Sequence, residues 1–322
     1  MKRSIVGPAL GFCGMAAAGV ATAEALGGGY MLSLMTQAAF MALFALGVGL
    51  LIRQNGAVSF GHAAFFSLPA YMIAAALKTG TLHVEAAIIG AVAATGLLAF
   101  LIGLVIVRVQ GIAFGMLTLA IGQGLYEAST RLRDLTGGHD GLNLRLPREL
   151  FGASLRSLQQ PKGMLIVSWL SLTVVLFLVW LFTRSHWGRL TEAIRDNEER
   201  VRFLGYNTLV PRALVFAASA TIAALGGVFA VIYNAFISPD SVHWTNSGSA
   251  LIMAILGGVG AVWGPVLGAF VYFFLKHVAG VYTTHWLSII GIAVIAVAVA
   301  FPSGLAGLVD RAFAIARRRE RA

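Results

Sequence analysis

The sequence predicts an all-α, polytopic transmembrane helical bundle with about ten membrane segments, some of them short or broken. Three observations carry that expectation. Of the 322 residues 58% are hydrophobic and the mean hydropathy is +0.85, more apolar surface than a soluble domain of this size can hide. The apolar residues form long, unalternating runs; each bilayer crossing needs ~20 of them and must satisfy its own backbone hydrogen bonds, which points to helices and away from a barrel. The 38 glycines suit a packed bundle in lipid, where small residues let helix backbones approach.

Ten segments follow along the chain: 4–23, 30–52, 60–77, 84–107, 111–130, 164–183, 213–234, 247–258, 263–280 and 286–302. The first has a second reading as a cleavable signal peptide, from its basic start, apolar stretch and "ATA" before Glu24; an uncleaved helix serves the count better. An even number returns both termini to one side. "MKR" opens the chain and "RAFAIARRRERA" closes it with five arginines against one acid, so that side is the cytoplasm. The segments 247–258 and 263–280 are short, and "GGVGAVWGP" between them reads equally as a re-entrant break. The chain is expected to form one domain, 1–322, with a cytoplasmic loop at 184–212 and an external loop at 131–163. The external loop carries six basic and three acidic residues, against the usual charge bias of short external loops. It is placed outside because 164–183 separates it from the other loop. "GAVSFG" at 56–61 faintly echoes "GAVWGP" at 260–265, a possible remnant of a structural repeat.

The net charge of +10 does not call for nucleic acid, because the basic residues flank apolar runs. A single cysteine, Cys13, excludes an internal disulfide. No G-x-x-x-x-G-K-[ST] occurs, none of Lys2, Lys78, Lys162 and Lys276 follows a phosphate-cradling loop, and no His, Cys or acidic pair has ligand spacing on one span. The chain is therefore expected to be no enzyme and to bind no metal or cofactor itself. Intramembrane acids of the kind ion-driven pumps use are scarce; His62 and Glu127 stand nearly alone.

One stretch breaks the pattern. "WGRLTEAIRDNEERVRFLGYN" at 187–207 holds four acids and four arginines. Leu190, Ile194, Val201 and Leu204 share a helix face, Arg195 and Glu199 are spaced to pair, and Gly205 sits where a left-handed cap would end the helix. Such a helix either lies on the headgroups or docks into a groove of a soluble partner. An external motor would supply the energy source that the chain lacks.

"NGAVSFGHAAFFSLPAYM" at 55–72, "GIAFGMLTLAIGQGLYE" at 111–127, "LTGGHDGL" at 135–142, "AIRDNEERVRFLGYN" at 193–207 and "LGGVGAVWGPVLGA" at 256–269 together resemble the M-type membrane permease subunit of branched-chain amino acid ABC importers. The resemblance implies a multi-pass protein of the bacterial inner membrane. Its implied partners are a second, similar permease, two cytoplasmic ATPase subunits that use the ATP, a periplasmic or lipid-anchored binding protein, and lipid. It places the ATPase-docking loop on Glu192, Arg195, Asn197, Glu198, Arg202, Gly205 and Tyr206. Glu192-Ala193 followed by Gly205 only loosely echoes the docking motif of other ABC importers.

Ser59, Gly61 and His62 head a Gly-interrupted span, where free helix N-terminal amides would favour a carboxylate. With Phe65 and Phe66 they are candidates for the translocation pathway, Tyr71 adding to the apolar wall. Equally, His62 reads as a polar residue bonded to a neighbouring helix, and the phenylalanines as bulk. Thr136, Gly137, Gly138, His139 and Asp140 are expected at an external hinge, at a seat for the binding protein, or in an ordinary turn. "GIAFG" and "GPVLG" have the spacing of close helix packing. The expected substrate is a branched-chain or related small amino acid, with urea or short amides as the alternative within the family. An ATP-independent secondary transporter is the rival outside it.

Overall fold

The computed structural model describes residues 6–25, 29–80, 83–282, 285–301 and 303–308. The expected segments correspond to ten helices: α1 (Val6–Ala25), α2 (Tyr30–Asn55), α3 (His62–Thr79), α4 (Val84–Ile106), α5 (Ile112–Arg131), α8 (Pro161–Arg184), α11 (Leu209–Asn234), α12 (Trp244–Gly257), α13 (Gly264–Tyr282) and α14 (Trp286–Ala300). Among the described residues the connections between these segments add four short helices, α6 (Arg133–Thr136), α7 (Leu155–Gln159), α9 (His186–Asp196) and α10 (Glu198–Phe203). They also hold four two-residue strands, β1 (Leu142–Asn143), β2 (Glu149–Leu150), β3 (Ala153–Ser154) and β4 (Phe236–Ile237). β1 pairs antiparallel with β4, and β2 with β3. The protein is all-α and polytopic in character. Among the described residues, five helices are long and apolar enough to cross a membrane: α2, α4, α8, α11 and α13. The chain ends that were expected in the cytoplasm, 1–5 and 309–322, lie outside the described residues.

The centre of the bundle is the antiparallel pair α2 and α11. In each, 78% of the apolar window is buried, against 28% for α4, so α4 is a peripheral helix whose outer face (Leu97, Leu101, Val105) is exposed. Three bonds fix the pair along its length. The Ser33 and Tyr233 hydroxyls meet at 3.1 Å, Ser219 Oγ donates to the Gly47 carbonyl at 2.7 Å, and Asn55 Nδ2 donates to the Arg212 carbonyl at 3.0 Å. Lipid tails are as apolar as leucine, so close backbone approach and interhelical bonds hold such helices together. Glycines make the approach possible here: a Cβ on Gly227 of α11 would fall 1.7 Å from the Phe66 carbonyl of α3, and one on Gly47 2.6 Å from the Ser219 carbonyl.

α12 is 14 residues long, about 21 Å, short of the ~30 Å hydrocarbon core. It forms a tight hairpin with α13. A Cβ on Gly257 would meet the Gly264 carbonyl at 1.8 Å, and one on Gly268 the Met253 carbonyl at 1.9 Å. "GPVLG" therefore packs as its spacing predicts. In "GIAFG" only Gly115 packs closely, against the Val58 carbonyl, whereas Gly111 is a left-handed turn residue in open space. The echoing segment 56–61 falls between α2 and α3, and 260–265 follows α12 and runs into the first turn of α13. α1 packs against α8, with Trp169 Nε1 donating to the Met15 carbonyl at 2.9 Å and Phe12 edge-on to Phe177.

The loops 131–163 and 184–212 lie at opposite ends of the bundle. The first joins β1 to β4 beside the end of α11, and the second sits against the end of α2 and the start of α11. We call them the β-pair end and the polar end.

Candidate functional site

The polar stretch is not the single helix its spacing predicts. The chain breaks at Asn197 (φ −160°), whose Oδ1 accepts the Arg200 amide at 2.8 Å and caps α10. An asparagine followed by two glutamates is a strong start signal, and it interrupts the apolar stripe. Ile194 and Val201 are buried, but Leu204 is 71% exposed. The expected Arg195–Glu199 pair does not form. Arg195 instead contacts Asp196 at 2.8 Å and donates to the Arg53 carbonyl at 2.5 Å. Gly205 (φ +85°) ends α10 as expected, with the Tyr206 amide reaching back to the Val201 carbonyl at 3.4 Å.

Two acids that the sequence offered as contact residues turn inward. Glu192 faces Arg53 and Gln54, each at 3.5 Å, and Thr191 donates to Gln54 Oε1 at 2.6 Å. Glu198 accepts from Arg212 at 2.7 Å, from Arg202 and Thr208 at 2.8 Å each, and from Gln110. The side chains of Arg212 and Glu198 are only 7% and 15% exposed, so this pair is largely withdrawn from solvent at the edge of a pocket, unlike a surface ion pair. The two clamps fasten α9 to α2 and α10 to α11. Around them opens a pocket of about 560 Å³ lined by Asn55, Gln110, Arg195, Asn197, Glu198 and Arg202, among others. Facing outward beside it are Phe203 (87% exposed), Leu204 and Tyr206.

Partial burial alone would raise the Glu198 carboxyl, but the Thr208 hydroxyl, then Arg212, then Arg202 outweigh it and hold the group below its ordinary 4.5. A carboxyl depressed on folding contributes stability that is present above its ordinary value and disappears as the pH falls through the folded one. Amide-exchange protection in α10 is therefore expected to be level between about pH 7 and 5 and to drop in more acid solution. A decline already complete at about pH 6 would mean that another group controls this helix.

The Gly-interrupted segment doubles back into the bundle beside α2. His62 starts α3 at the level of Gly47, about two turns or ~12 Å before the end of α2. Its ring bridges two hydroxyls, with Nδ1 2.7 Å from Ser59 Oγ and Nε2 2.8 Å from Ser219 Oγ. Ser219 gives its one hydroxyl proton to the Gly47 carbonyl, which can only accept. Its oxygen must then accept from His62 Nε2–H, which leaves Nδ1 to accept from Ser59. The relay runs in one direction, from Ser59 through His62 and Ser219 to Gly47, and fixes the tautomer. Phe65 and Phe216 stand edge-on around it, and Phe65 and Phe216 are themselves in edge contact at 5.5 Å.

Three of the amides around the start of α3 are taken by hydroxyls. The Phe60 amide donates to Thr118 of α5 at 3.2 Å, Gly61 to Ser59 at 3.4 Å and Ala63 to Ser247 of α12 at 2.8 Å. Gly61 is required by proximity, since a Cβ there would lie 2.1 Å from the Thr118 carbonyl. Ser59, His62, Phe65 and Phe66 are all buried, and of these Phe66 lines an open cavity. Thr118, Ser219 and Ser247, which complete the arrangement, carry no spacing signal, because each comes from a different helix.

In "TGGHDGL" the glycines Gly137, Gly138 and Gly141 have φ of +75°, +65° and +71°. A Cβ on Gly141 would fall 2.5 Å from the Ile237 carbonyl. Thr136 donates to the Ser129 carbonyl at 2.6 Å, and a turn of 3₁₀ helix, Gly138–Asp140, leads into β1. This corner is bonded to the chain that follows α11, while His139 and Asp140 remain exposed.

Residues 30–300 match the family described as branched-chain amino acid transport system / permease component. Among curated proteins, the chain is 24% identical over 252 residues to the high-affinity branched-chain amino acid transport system permease protein LivM of Salmonella typhimurium, covering 70% of this chain and 58% of that one. It is 22% identical over 288 residues to LivM of Escherichia coli, covering 82% and 67%. The autoinducer 2 import system permease protein LsrC of Escherichia coli is 32% identical over 125 residues, 36% of each chain. The chain thus spans little more than half the length of the first of these relatives. No solved structure matches. With a family match that covers the bundle from α2 to the end of α14, the chain belongs to the branched-chain amino acid transport system permease family.

Proposed function

We propose that the chain is the permease subunit of an ABC importer and forms part of the pathway for branched-chain or related small amino acids. In this reading separate ATPase subunits act on its polar end, which faces the cytoplasm. The single observation that carries it is the construction of α9 and α10. They are clamped inward to α2 and α11 through Glu192 and Glu198, while Phe203, Leu204 and Tyr206 are held outward. A rigid element with exposed apolar anchors is what a groove on a soluble partner can grip, and its clamps pass displacement to the two central helices. The second permease, the two ATPases and a periplasmic or lipid-anchored binding protein complete the assembly. The chain itself performs no covalent chemistry.

In the reconstituted importer, Phe203→Ala combined with Leu204→Ala is expected to cut substrate-stimulated ATP hydrolysis about tenfold or more, since central anchors cost about 2 kcal/mol or more on truncation. Membrane insertion should be unaffected. Full stimulation in that variant would remove α10 from the ATPase contact. Cysteines placed at Asn197 and at His139 should be labelled from opposite faces of the membrane, Asn197 from the cytoplasm. Transport by the purified chain alone would instead favour a secondary transporter. The LsrC match and the urea or short-amide alternative are decided by a panel of these solutes against ATPase stimulation.

A further inference from the structure

A cavity of about 270 Å³ lies between α2, α3, α11 and the 236–246 segment. It is below the ~300–1,000 Å³ of drug-sized ligand sites, so its occupant is small. It opens toward the β-pair end, beside Ser238, Ser241 and Asn246. The inner wall is aromatic, with the rings of Phe44 and Phe66 stacked at 4.8 Å and Phe40 one turn above. Beyond that stack lies the packed start of α3.

Ser67 lines this cavity from α3. It is fully buried, and its Oγ has no hydrogen-bond partner in the protein. Leaving a buried hydroxyl unmatched costs free energy, and native proteins rarely do so without a reason. The helical hydroxyls of Thr36, Thr95 and Ser168 all donate to the carbonyl four residues back, a bond that Ser67 does not make. Two amide side chains, Asn234 and Asn246, stand on the same cavity. Asn246 spends its Nδ2 on the Asp240 carbonyl at 2.7 Å. None of the residues lining the cavity is charged.

We propose that this cavity is a substrate waypoint that takes one net-neutral small solute, its apolar flank on Phe40, Phe44 and Phe66 and its polar head on Ser67, Asn234 and Asn246. The inference rests on the importer reading and adds to it the place of passage and a rule of selection. A solute with net charge would leave water without meeting a counter-charge, which a bilayer-depth site penalises heavily. A zwitterion with an aliphatic side chain carries no net charge, and hydroxyl and amide dipoles can meet both of its ends. Lysine, arginine, aspartate and glutamate are excluded by the same rule, whatever a companion binding protein delivers.

The test uses the importer assembled with its companion subunits in proteoliposomes, with leucine as the probe. Ser67→Ala is expected to lower leucine uptake about tenfold, the scale of one hydrogen bond to a charged group, and Ser67→Met to abolish it by filling the cavity. Leucine-stimulated ATP hydrolysis should persist in both. A third variant, Ser67→Cys in a Cys13→Ser background, should react with the uncharged reagent methyl methanethiosulfonate added from outside, and loaded binding protein should protect it. Normal leucine uptake by both the alanine and methionine variants, or an unreactive cysteine, overturns the waypoint and leaves the importer reading standing. A wild-type complex that imports no leucine, but imports a neutral amide that Ser67→Met blocks, overturns the amino-acid reading and leaves the waypoint standing.

Discussion

Glu198→Ala is expected to be the most damaging single substitution at the polar end. It strips the buried Arg212 of its counter-charge and removes the bonds from Arg202, Thr208 and Gln110. Breaking one side of a buried pair costs about 3–5 kcal/mol, largely because the surviving charge has no partner. The neighbouring Glu199→Ala, on an exposed side chain, should stay within about 0.5 kcal/mol of wild type. Unfolding of the purified protein measures both. Coupling separates from stability in the double variant Glu198→Met with Arg212→Met. Replacing both charges by apolar groups should recover most of the lost stability, yet ATP hydrolysis should remain unstimulated because α10 no longer engages α11 through a directional contact. A stability loss under about 1 kcal/mol in Glu198→Ala would mean that the pair is solvated and carries no clamp.

Gly227→Ala is expected to be as severe at the centre of the bundle. Its Cβ would fall 1.7 Å from the Phe66 carbonyl, and a backbone oxygen cannot swing aside as a side chain would. α3 and α11 must separate, at a cost of about 3 kcal/mol or more once lost contacts are added to the strain. Because Phe66 also walls the 270 Å³ cavity, the same change should widen it and reduce uptake. Gly248 of α12 has nothing within 4 Å of an added Cβ, so Gly248→Ala is the control. It should be neutral or stabilising by up to about 1 kcal/mol, from helix propensity. Thermal unfolding in detergent compares the two, and equal midpoints would contradict the close crossing of α3 and α11.

The long helices were legible because a crossing is a local property: α2, α4, α8 and α11 each announce themselves by an unbroken apolar run. The kink at Asn197 was written in the sequence too, as Asn-Glu-Glu. It was masked by Leu190, Ile194 and Val201, whose spacing fits one straight helix equally well. The direction in which Glu192 and Glu198 point was not legible. Their partners Arg53 and Arg212 are distant in sequence, and the local spacing offered Arg195–Glu199, which the fold does not use, beside Arg202–Glu198, which it does. The same limit hides the ring around His62. Sequence flagged Ser59 and His62 as an odd polar pair within apolar surroundings, but Thr118, Ser219 and Ser247 look like any helical hydroxyl until α5, α11 and α12 bring them together. Likewise Ser67 is one serine in "FFSLP", distinguished only by what fails to reach it.

The buried start of α3 has a mechanical consequence. Its backbone is sealed by hydroxyls from α5 and α12, and its histidine leans on α11, so three neighbours each hold one thread of the same knot. In oil, a thread that is let go finds no water to take its place. A gradual slide of one helix would leave donors stranded for the whole of its travel. The bundle is thereby inclined to flip between a few complete settings, each with its own full set of bonds, and to spend little time in between.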